Sequence, residues 1–283
     1  AFRVAEEEKP GPVLLELPED IAEEAAEVVD LILPGERHYA VAGANVITAA
    51  ATAIKGAKRP LVLIGAGANR KEARRAISQF IGMIGLPFCN TQMGKGVVDE
   101  SSDYFLGTAA LSDKDYLHDY IKVADLIVNI GHDVVEKPPF FMKHGGAEVI
   151  HVNYKSAQVD QVYFPQIEVV GDIALSVDAL ADALGSRLDV DLTDFEKVRD
   201  NVRGKIFSLD EEPVFPMRPQ NIVSAVRNLM GYHDIIALDN GVYKIWFARN
   251  YMAFQPNTIL LDNALATMGA GLPSAMLAAM IHP

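Results

Sequence analysis

The chain contains a short apolar segment with turn residues on both sides. This segment, residues 61–64, follows an Arg-Pro pair and precedes the Gly-Ala-Gly turn of residues 65–67. An unbroken apolar run of this length predicts a strand that is buried on both faces, as in a parallel sheet. Residues 71–84 then repeat apolar side chains at helical spacing, so the region predicts a strand followed by a helix. The apolar stripe of this helix comprises Ala73, Ile77, Phe80 and Ile84.

The same alternation of strand and helix continues along the chain. Further strands are predicted at residues 86–89, 126–130, 149–152 and 167–170, and helices at residues 116–123 and 174–184. A preceding helix is predicted to begin with Asn45 as its N-cap. Alternating strands and helices predict an α/β fold with doubly wound parallel sheets and helices on both faces. Such sheets usually bind ligands at the carboxyl ends of their strands.

Composition narrows the class of protein further. The 283 residues suit about two domains. The net charge of −13 and the lack of a basic patch make nucleic acid a poor partner. One cysteine, Cys89, excludes internal disulfides, is expected to be buried, and favours a reducing, cytoplasmic compartment. No signal peptide is recognised at the start of the sequence. The seven histidines show no metal-ligand spacing, so no metal site is predicted in this chain.

One uncharged stretch, residues 264–281, resembles a membrane span in length. It lies near the lower end of the roughly 17–25 residues that a spanning helix needs. However, it contains Gly269, Gly271, Pro273 and many alanines. A loop followed by a buried helix is therefore the preferred interpretation, and no membrane partner is expected.

Changes in composition and turn residues divide the chain into five segments. Residues 1–20 are interpreted as the tail of a preceding domain, with a strand at residues 13–17, and residues 21–43 as a connector. Residues 44–185 form a middle Rossmann-like domain. The charged, proline-containing residues 186–218 are interpreted as a linker. Residues 219–283 are interpreted as the start of a further domain that continues beyond this sequence.

Two loops of the middle domain determine whether it can bind an anionic group such as a pyrophosphate. Residues 65–70 resemble a dinucleotide fingerprint, but Arg70 stands where a third glycine is expected, and a tight turn explains the pattern equally. In the loop of residues 131–139, Asp133 and Glu136 would oppose a pyrophosphate, with only Lys137 and His132 to offset them.

Another loop of this domain, residues 90–97, carries Lys95 between two glycines. Its ammonium group could meet a carboxylate or a phosphate. The alternative is a solvated loop lysine.

The last segment contains two glycine-rich turns. Residues 240–243 (Asn-Gly-Val-Tyr) follow the apolar run 235–238, and residues 266–271 open a helix. Small residues let a backbone approach a ligand closely, and amide groups at a helix N-terminus favour anions. The two turns therefore predict a cradle for a phosphorylated cofactor.

The residues in and around these turns are more informative than their spacing. Residues 245–249 (Ile-Trp-Phe-Ala-Arg) and residues 267–269 (Thr-Met-Gly) resemble the start of the pyrophosphate domain of thiamine-diphosphate (ThDP) enzymes. The resemblance is strongest to flavin-independent, catabolic acetolactate synthases. Residues 10–13 and 17–20 similarly resemble the end of the pyrimidine-binding domain of this family. The resemblance implies decarboxylation of pyruvate and its ligation to a second pyruvate, giving 2-acetolactate and CO₂.

The resemblance also implies roles for individual residues. Contacts to the diphosphate fall on Asn240, Gly241, Val242 and Tyr243, and contacts to the aminopyrimidine fall on Ala266 and Met268. Biosynthetic relatives have Gln-His at positions 242 and 243, and a glycine at position 266. Diphosphate contacts at 242 and 243 are therefore expected from backbone N–H groups and the Tyr hydroxyl. The alternative for Met268 is ordinary core packing.

The remaining implications concern cofactors and partners. ThDP and Mg²⁺ are expected, with the metal ligands and the glutamate that activates ThDP outside this chain. The catalytic residues are therefore unknown, and the fragment alone is expected to be inactive. FAD is not expected, because the loop of residues 131–139 lacks arginine. A homodimer or homotetramer is implied. The alternatives are another ThDP carboligase, such as glyoxylate carboligase, or a non-catalytic nucleotide-binding regulatory module.

Overall fold

The computed structural model describes residues 1–8, 10–26, 39–109, 115–132, 136, 141–207, 215–263 and 266–283. The chain forms two compact units, Ala1–Ala40 and Val41–Pro283.

The first unit contains two short helices, α1 (Phe2–Glu6) and α2 (Glu19–Ala22). The strand predicted at residues 13–17 is wrong, because residues 10–18 form no regular secondary structure and Leu14, Leu15 and Leu17 are exposed. A strand needs a neighbour to satisfy its backbone N–H and C=O groups. The described residues of this unit contain no second strand that could pair with it.

The second unit is built on a six-stranded parallel sheet in the order β3-β2-β1-β4-β5-β6. The strands are β1 (Pro60–Ile64), β2 (Phe88–Asn90), β3 (Phe105–Thr108), β4 (Leu126–Ile130), β5 (Glu148–Asn153) and β6 (Ile167–Val170). Since successive side chains of a strand point to opposite faces, β1 contributes to two hydrophobic cores. Val62 and Ile64 belong to one core, and Leu61 and Leu63 belong to the other.

Helices cover both faces of this sheet, as predicted. The helices α3 (Ala44–Gly56), α4 (Lys71–Ile84) and α6 (Ile173–Leu184) pack on the face of Val62, and α5 (His118–Ile121) and α7 (Thr193–Phe207) pack on the face of Leu61. The predicted α/β fold with helices on both faces is confirmed. Cys89 is fully buried, as expected, and burial raises the pKa of its thiol.

Two local features differ from the sequence-based expectation. Helix α3 begins at Ala44, and Gly43 is its N-cap in an extended conformation. The prediction of Asn45 as the N-cap is therefore wrong, because Asn45 lies inside the first turn. Helix α7 lies within the segment interpreted as a linker, and its buried side chains Phe195, Val202 and Ile206 complete the second core.

The remaining elements surround a small two-stranded parallel sheet. They are α8 (Pro219–Leu229), β7 (Ile236–Ala237), α9 (Lys244–Asn250), β8 (Ile259–Leu260) and α10 (Gly271–Ile281). The core here is formed by Val223, Leu238, Tyr251, Ala253, Ile259 and Leu261. Helix α10 was expected to be buried, but its Met276, Leu277 and Met280 are more than half exposed. Among the described residues, no helix is long and apolar enough to cross a membrane.

Candidate cofactor site

The two predicted halves of the cradle lie next to each other. Strands β7 and β8 are parallel neighbours, with Ile236 opposite Ile259 and Ala237 opposite Leu260. Parallel pairing brings the carboxyl ends of the two strands to one edge of the sheet. Residues 240–243 follow the first strand and residues 266–268 follow the second. The structure therefore gathers all six predicted cofactor residues at one edge.

Hydrogen bonds join these two halves directly. The Asn240 side-chain amide Nδ2 donates to the Ala266 carbonyl at 3.3 Å. Lys244 Nζ, in the first turn of α9, donates to the Asp262 carbonyl at 2.6 Å. The ring of Tyr243 folds over Gly241 so closely that an added Cβ would lie 2.6 Å from ring atom Cε1. A larger residue at position 241 would therefore require the Tyr243 ring to move.

Asp239 is a further residue of the cradle that the sequence did not reveal. Its carboxylate accepts hydrogen bonds from the Asn240 backbone N–H at 2.6 Å and from the Gly269 N–H at 2.7 and 2.9 Å. The Asn240 amide, together with the amides of residues 269–271, holds the pKa of Asp239 below its ordinary value. Asp239 therefore fixes the turn that carries Met268 and places its own negative charge on the amides that open α10.

The side chains that surround this edge are accessible. Met268 is 82% exposed and Val242 is 68% exposed, while Tyr243 is 38% exposed. Met268 therefore does not fill a core formed by the described residues, which was the alternative interpretation of its role. Apolar side chains that project at the carboxyl ends of parallel strands are suited to contact a ligand there.

A separate cavity of about 460 Å³ lies beside this region. It is bounded by the loop around Met93, by strand β8 and by helix α10, with Leu238, Leu261 and Leu277 in its lining. None of the six predicted cofactor residues lines this cavity, so it is distinct from the cradle.

The predicted dinucleotide turn lies at the switch point of the large sheet, between the carboxyl ends of β1 and β4. Backbone contacts fill the crevice at this point. The Gly65 N–H donates to the Ile130 carbonyl and the Gly67 N–H to the Gly131 carbonyl, both at 2.8 Å. An added Cβ at Gly131 would lie only 2.2 Å from the Ala68 nitrogen. The two glycine turns therefore serve close backbone packing.

Glu136 occupies the remaining space beside this turn. Its carboxylate accepts hydrogen bonds from the Ala66 N–H at 3.2 Å and from the Thr91 hydroxyl, and the side chain is buried. A pyrophosphate on this turn would have to displace an anion from the same amide. Asp133 and Lys137, which were part of the charge argument, lie outside the described residues.

Lys95 meets a carboxylate in the interior of the unit. Its Nζ lies 2.9 Å from Glu100 Oε2 and 3.2 Å from the Thr108 hydroxyl, and its side chain is only 2% exposed. The alternative of a solvated loop lysine is wrong. The expectation that Lys95 contacts a carboxylate or a phosphate is met by Glu100, and residues at the ends of β2 and β3 complete this polar network.

His132 lies beside the sheet, with its ring 4.5 Å from that of Tyr163. Tyr163 is buried and bonds to His151 Nδ1 at 2.7 Å. Within the described residues, no group of three or more His, Cys, Asp or Glu side chains is arranged to hold a metal ion.

The six-stranded sheet and the helices packed on it, α3 to α7, are called the large sheet domain, and comparison with known proteins identifies proteins similar to it. Residues 47–180 match the family model described as thiamine pyrophosphate enzyme, central domain. The matched residues span strands β1 to β6, so the large sheet domain is similar to this family.

The whole chain is similar to acetolactate synthases, which confirms the resemblance predicted from the sequence. It is 30% identical to "Acetolactate synthase, catabolic" of Raoultella terrigena, 26% identical to "Acetolactate synthase" of Bacillus subtilis and 28% identical to "Acetolactate synthase large subunit" of Pyropia yezoensis. Each match covers 100% of this chain and 51%, 50% and 49% of the respective relative. The chain thus spans about half the length of the curated relatives that it matches.

Proposed function

We propose that the protein produced from the complete reading frame is an acetolactate synthase. It would use ThDP and Mg²⁺ to convert two molecules of pyruvate into 2-acetolactate and CO₂. The observation that carries the proposal is the similarity of all 283 residues to acetolactate synthases, one of which is named catabolic. The six cradle residues, which lie at one edge of the β7–β8 sheet, support it.

The cradle fits the chemistry of the proposed cofactor. ThDP, when bound, supplies the electron sink for decarboxylation. Met268, which is exposed beside Asn240 and Ala266, would support the aminopyrimidine from below. The backbone at Gly241 and Val242 and the Tyr243 hydroxyl would contact the diphosphate. Asp239 would keep the two turns in register. The Mg²⁺ ligands and the activating glutamate are expected outside this sequence.

Flavin independence is the second part of the proposal. Glu136 supports it, because this buried carboxylate already accepts the Ala66 N–H at the turn where a dinucleotide would place its pyrophosphate. The purified protein is expected to be colourless, and its activity is expected not to change when FAD is added. A tightly bound yellow chromophore would overturn this part of the proposal without affecting the first.

The activity is tested by incubating the protein with pyruvate, ThDP and Mg²⁺. Acidification converts 2-acetolactate to acetoin, which is then measured, and reactions without ThDP serve as the control. No product from pyruvate, together with a product from glyoxylate, would favour a glyoxylate carboligase instead. Tight binding of ADP without any product would favour the nucleotide-binding regulatory module, which the filled crevice at Gly65 and Gly67 does not support.

A shared active site between two subunits is also proposed. Helix α10 exposes Leu272, Met276 and Met280, each by more than half, which is more apolar surface than a helix normally leaves to water. A homodimer or homotetramer in the cytoplasm would cover it. Light scattering tests this, and a monodisperse monomer with full ThDP-dependent activity would refute it.

A further inference from the structure

The loop that follows β2 pairs with the segment that follows helix α9. The Glu100 backbone N–H donates to the Ala253 carbonyl at 3.2 Å, and the Ala253 N–H donates back to Glu100 Oε2 at 2.8 Å. Both residues are fully buried. The large sheet domain therefore holds the chain just beyond the C-terminal end of α9.

The Glu100 carboxylate is saturated with donors. Oε1 accepts from Asn90 Nδ2 at 2.8 Å and from the Gly96 N–H at 3.2 Å, while Oε2 also lies 2.9 Å from Lys95 Nζ. A buried charge with this set of partners cannot move without leaving several polar groups unsatisfied. Glu100 is therefore a rigid point of attachment for Ala253.

The two backbones also touch next to this attachment. Gly96 has a φ of 74°, and an added Cβ would lie 2.2 Å from the Gln255 carbonyl oxygen. Only glycine permits this approach. The contact leaves no room for residues 253–255 to shift toward the loop.

A second ion pair attaches α9 itself. Arg249 in its last turn lies 2.5 Å from Asp115, whose side chain is fully buried. The neighbouring Asn250 side chain donates to the Ile206 carbonyl of helix α7 at 2.9 Å. The C-terminal end of α9 is thus fixed to the large sheet domain at several points, while its N-terminal end continues from cradle residues 241–243.

We propose that Glu100 is a positioning residue for the cofactor site. It touches none of the six cradle residues, but it fixes the end of a seven-residue helix whose other end carries Gly241, Val242 and Tyr243. In this proposal, the large sheet domain sets the position of the diphosphate-binding turn. The role of ThDP in this proposal rests on the proposed function, whereas the attachment of α9 by Glu100 rests on the described contacts alone.

The test compares Glu100→Gln with Glu72→Gln in the protein from the complete reading frame. Glu72 is a matched control because it is an exposed residue of α4 whose carboxylate lies 3.6 Å from Arg75. The double variant Lys95→Met/Glu100→Gln, which removes both buried charges, is the second variant if the single one does not fold. Two quantities are measured, hydrogen exchange of the amides in residues 244–253 and the dissociation constant of ThDP in the presence of Mg²⁺.

Glu100→Gln is expected to speed exchange in residues 244–253. It should also weaken ThDP binding by about tenfold, since ThDP would have to bind a segment that has lost a stabilising hydrogen bond of about that factor and must be reordered on binding. The kcat at saturating ThDP should stay within about twofold of the wild type, because such a change affects binding and not the transition state. Glu72→Gln should change none of these quantities. The conservative Glu100→Asp variant should restore part of the ThDP affinity.

Unchanged exchange in residues 244–253 would overturn the proposal, and so would faster exchange that extends equally through α4 and the large sheet. Faster exchange confined to α9 with unchanged ThDP affinity would also overturn the cofactor role. If the wild type bound no ThDP, the proposed function would fail, whereas the exchange comparison would still decide whether Glu100 fixes α9.

Discussion

Replacing Lys95 with methionine should destabilise the protein strongly. The Lys95 side chain is 2% exposed, and its ammonium nitrogen lies 2.9 Å from Glu100 and 3.2 Å from the Thr108 hydroxyl. Methionine fills a similar volume but leaves the Glu100 carboxylate buried without its counterion. Breaking one partner of a buried ion pair costs about 3–5 kcal/mol.

The remaining contacts of Glu100 place the loss near the lower end of this range. Three donors, from Asn90, Gly96 and Ala253, still face the carboxylate after the substitution. Each such bond offsets part of the desolvation of the charge. We therefore expect a decrease of about 3 kcal/mol in the free energy of unfolding.

Urea unfolding at neutral pH measures this change by linear extrapolation. Arg75→Met is the control, because it removes an exposed ion pair with Asp178 at 2.9 Å and should cost less than about 1 kcal/mol. The double variant Lys95→Met/Glu100→Gln should recover most of the stability. A loss below about 1 kcal/mol for Lys95→Met, or a double variant less stable than the single one, would refute the reasoning.

Three further predictions concern titration and the cradle. Burial lowers the pKa of His151 below 6.5, so its contribution to stability is full above pH 6.5 and decreases as pH falls below that value. Urea unfolding midpoints measured from pH 8 to 5 should show this decrease, and His151→Gln should make it smaller. Backbone amides lower the pKa of Asp239 from 3.8, so its stabilising contribution is present above pH 3.8 and is lost as pH falls through the lowered pKa of the folded state. Asp239→Asn should speed hydrogen exchange of the Gly269 amide at neutral pH, and an unchanged rate would contradict its role. Met268→Ala should change the free energy of unfolding by less than about 0.5 kcal/mol, because the side chain is 82% exposed, but it should raise the KM for ThDP in the acetoin assay. A large loss of stability with an unchanged KM would contradict the assignment of Met268 to the cofactor site.

The sequence predicted the elements whose apolar pattern is strong. Helix α4 was predicted at residues 71–84, where it lies, and strands β4 and β6 likewise match. Strand β3 was missed because it has four residues, includes Gly107 and lies at the sheet edge. Helix α7 carries Phe195, Val198, Val202 and Ile206 at helical spacing, but the segment around it was interpreted as a linker because charged residues and prolines dominate its composition.

The site could be predicted only where its residues match a motif of a known family. The two turns around Gly241 and Met268 were located by their residues, and the structure brings them together. The contacts of Glu136 with Ala66 and of Asp239 with Gly269 were not predictable, because the partners are 70 and 30 residues apart. Periodicity reports which face of an element is buried, but not which carboxylate fills a particular turn.

The central position of β1 affects how the chain folds. Its partner β2 follows after a single helix, with Val62 opposite Phe88, whereas β4 pairs with β1 across 66 residues, as Pro60 lies opposite Leu126. Closing a longer loop costs more chain entropy, and long-range parallel pairing slows folding. The β1–β2 side of the sheet can therefore form early, and the docking of β4 onto β1 is the step that should limit the folding rate of this domain.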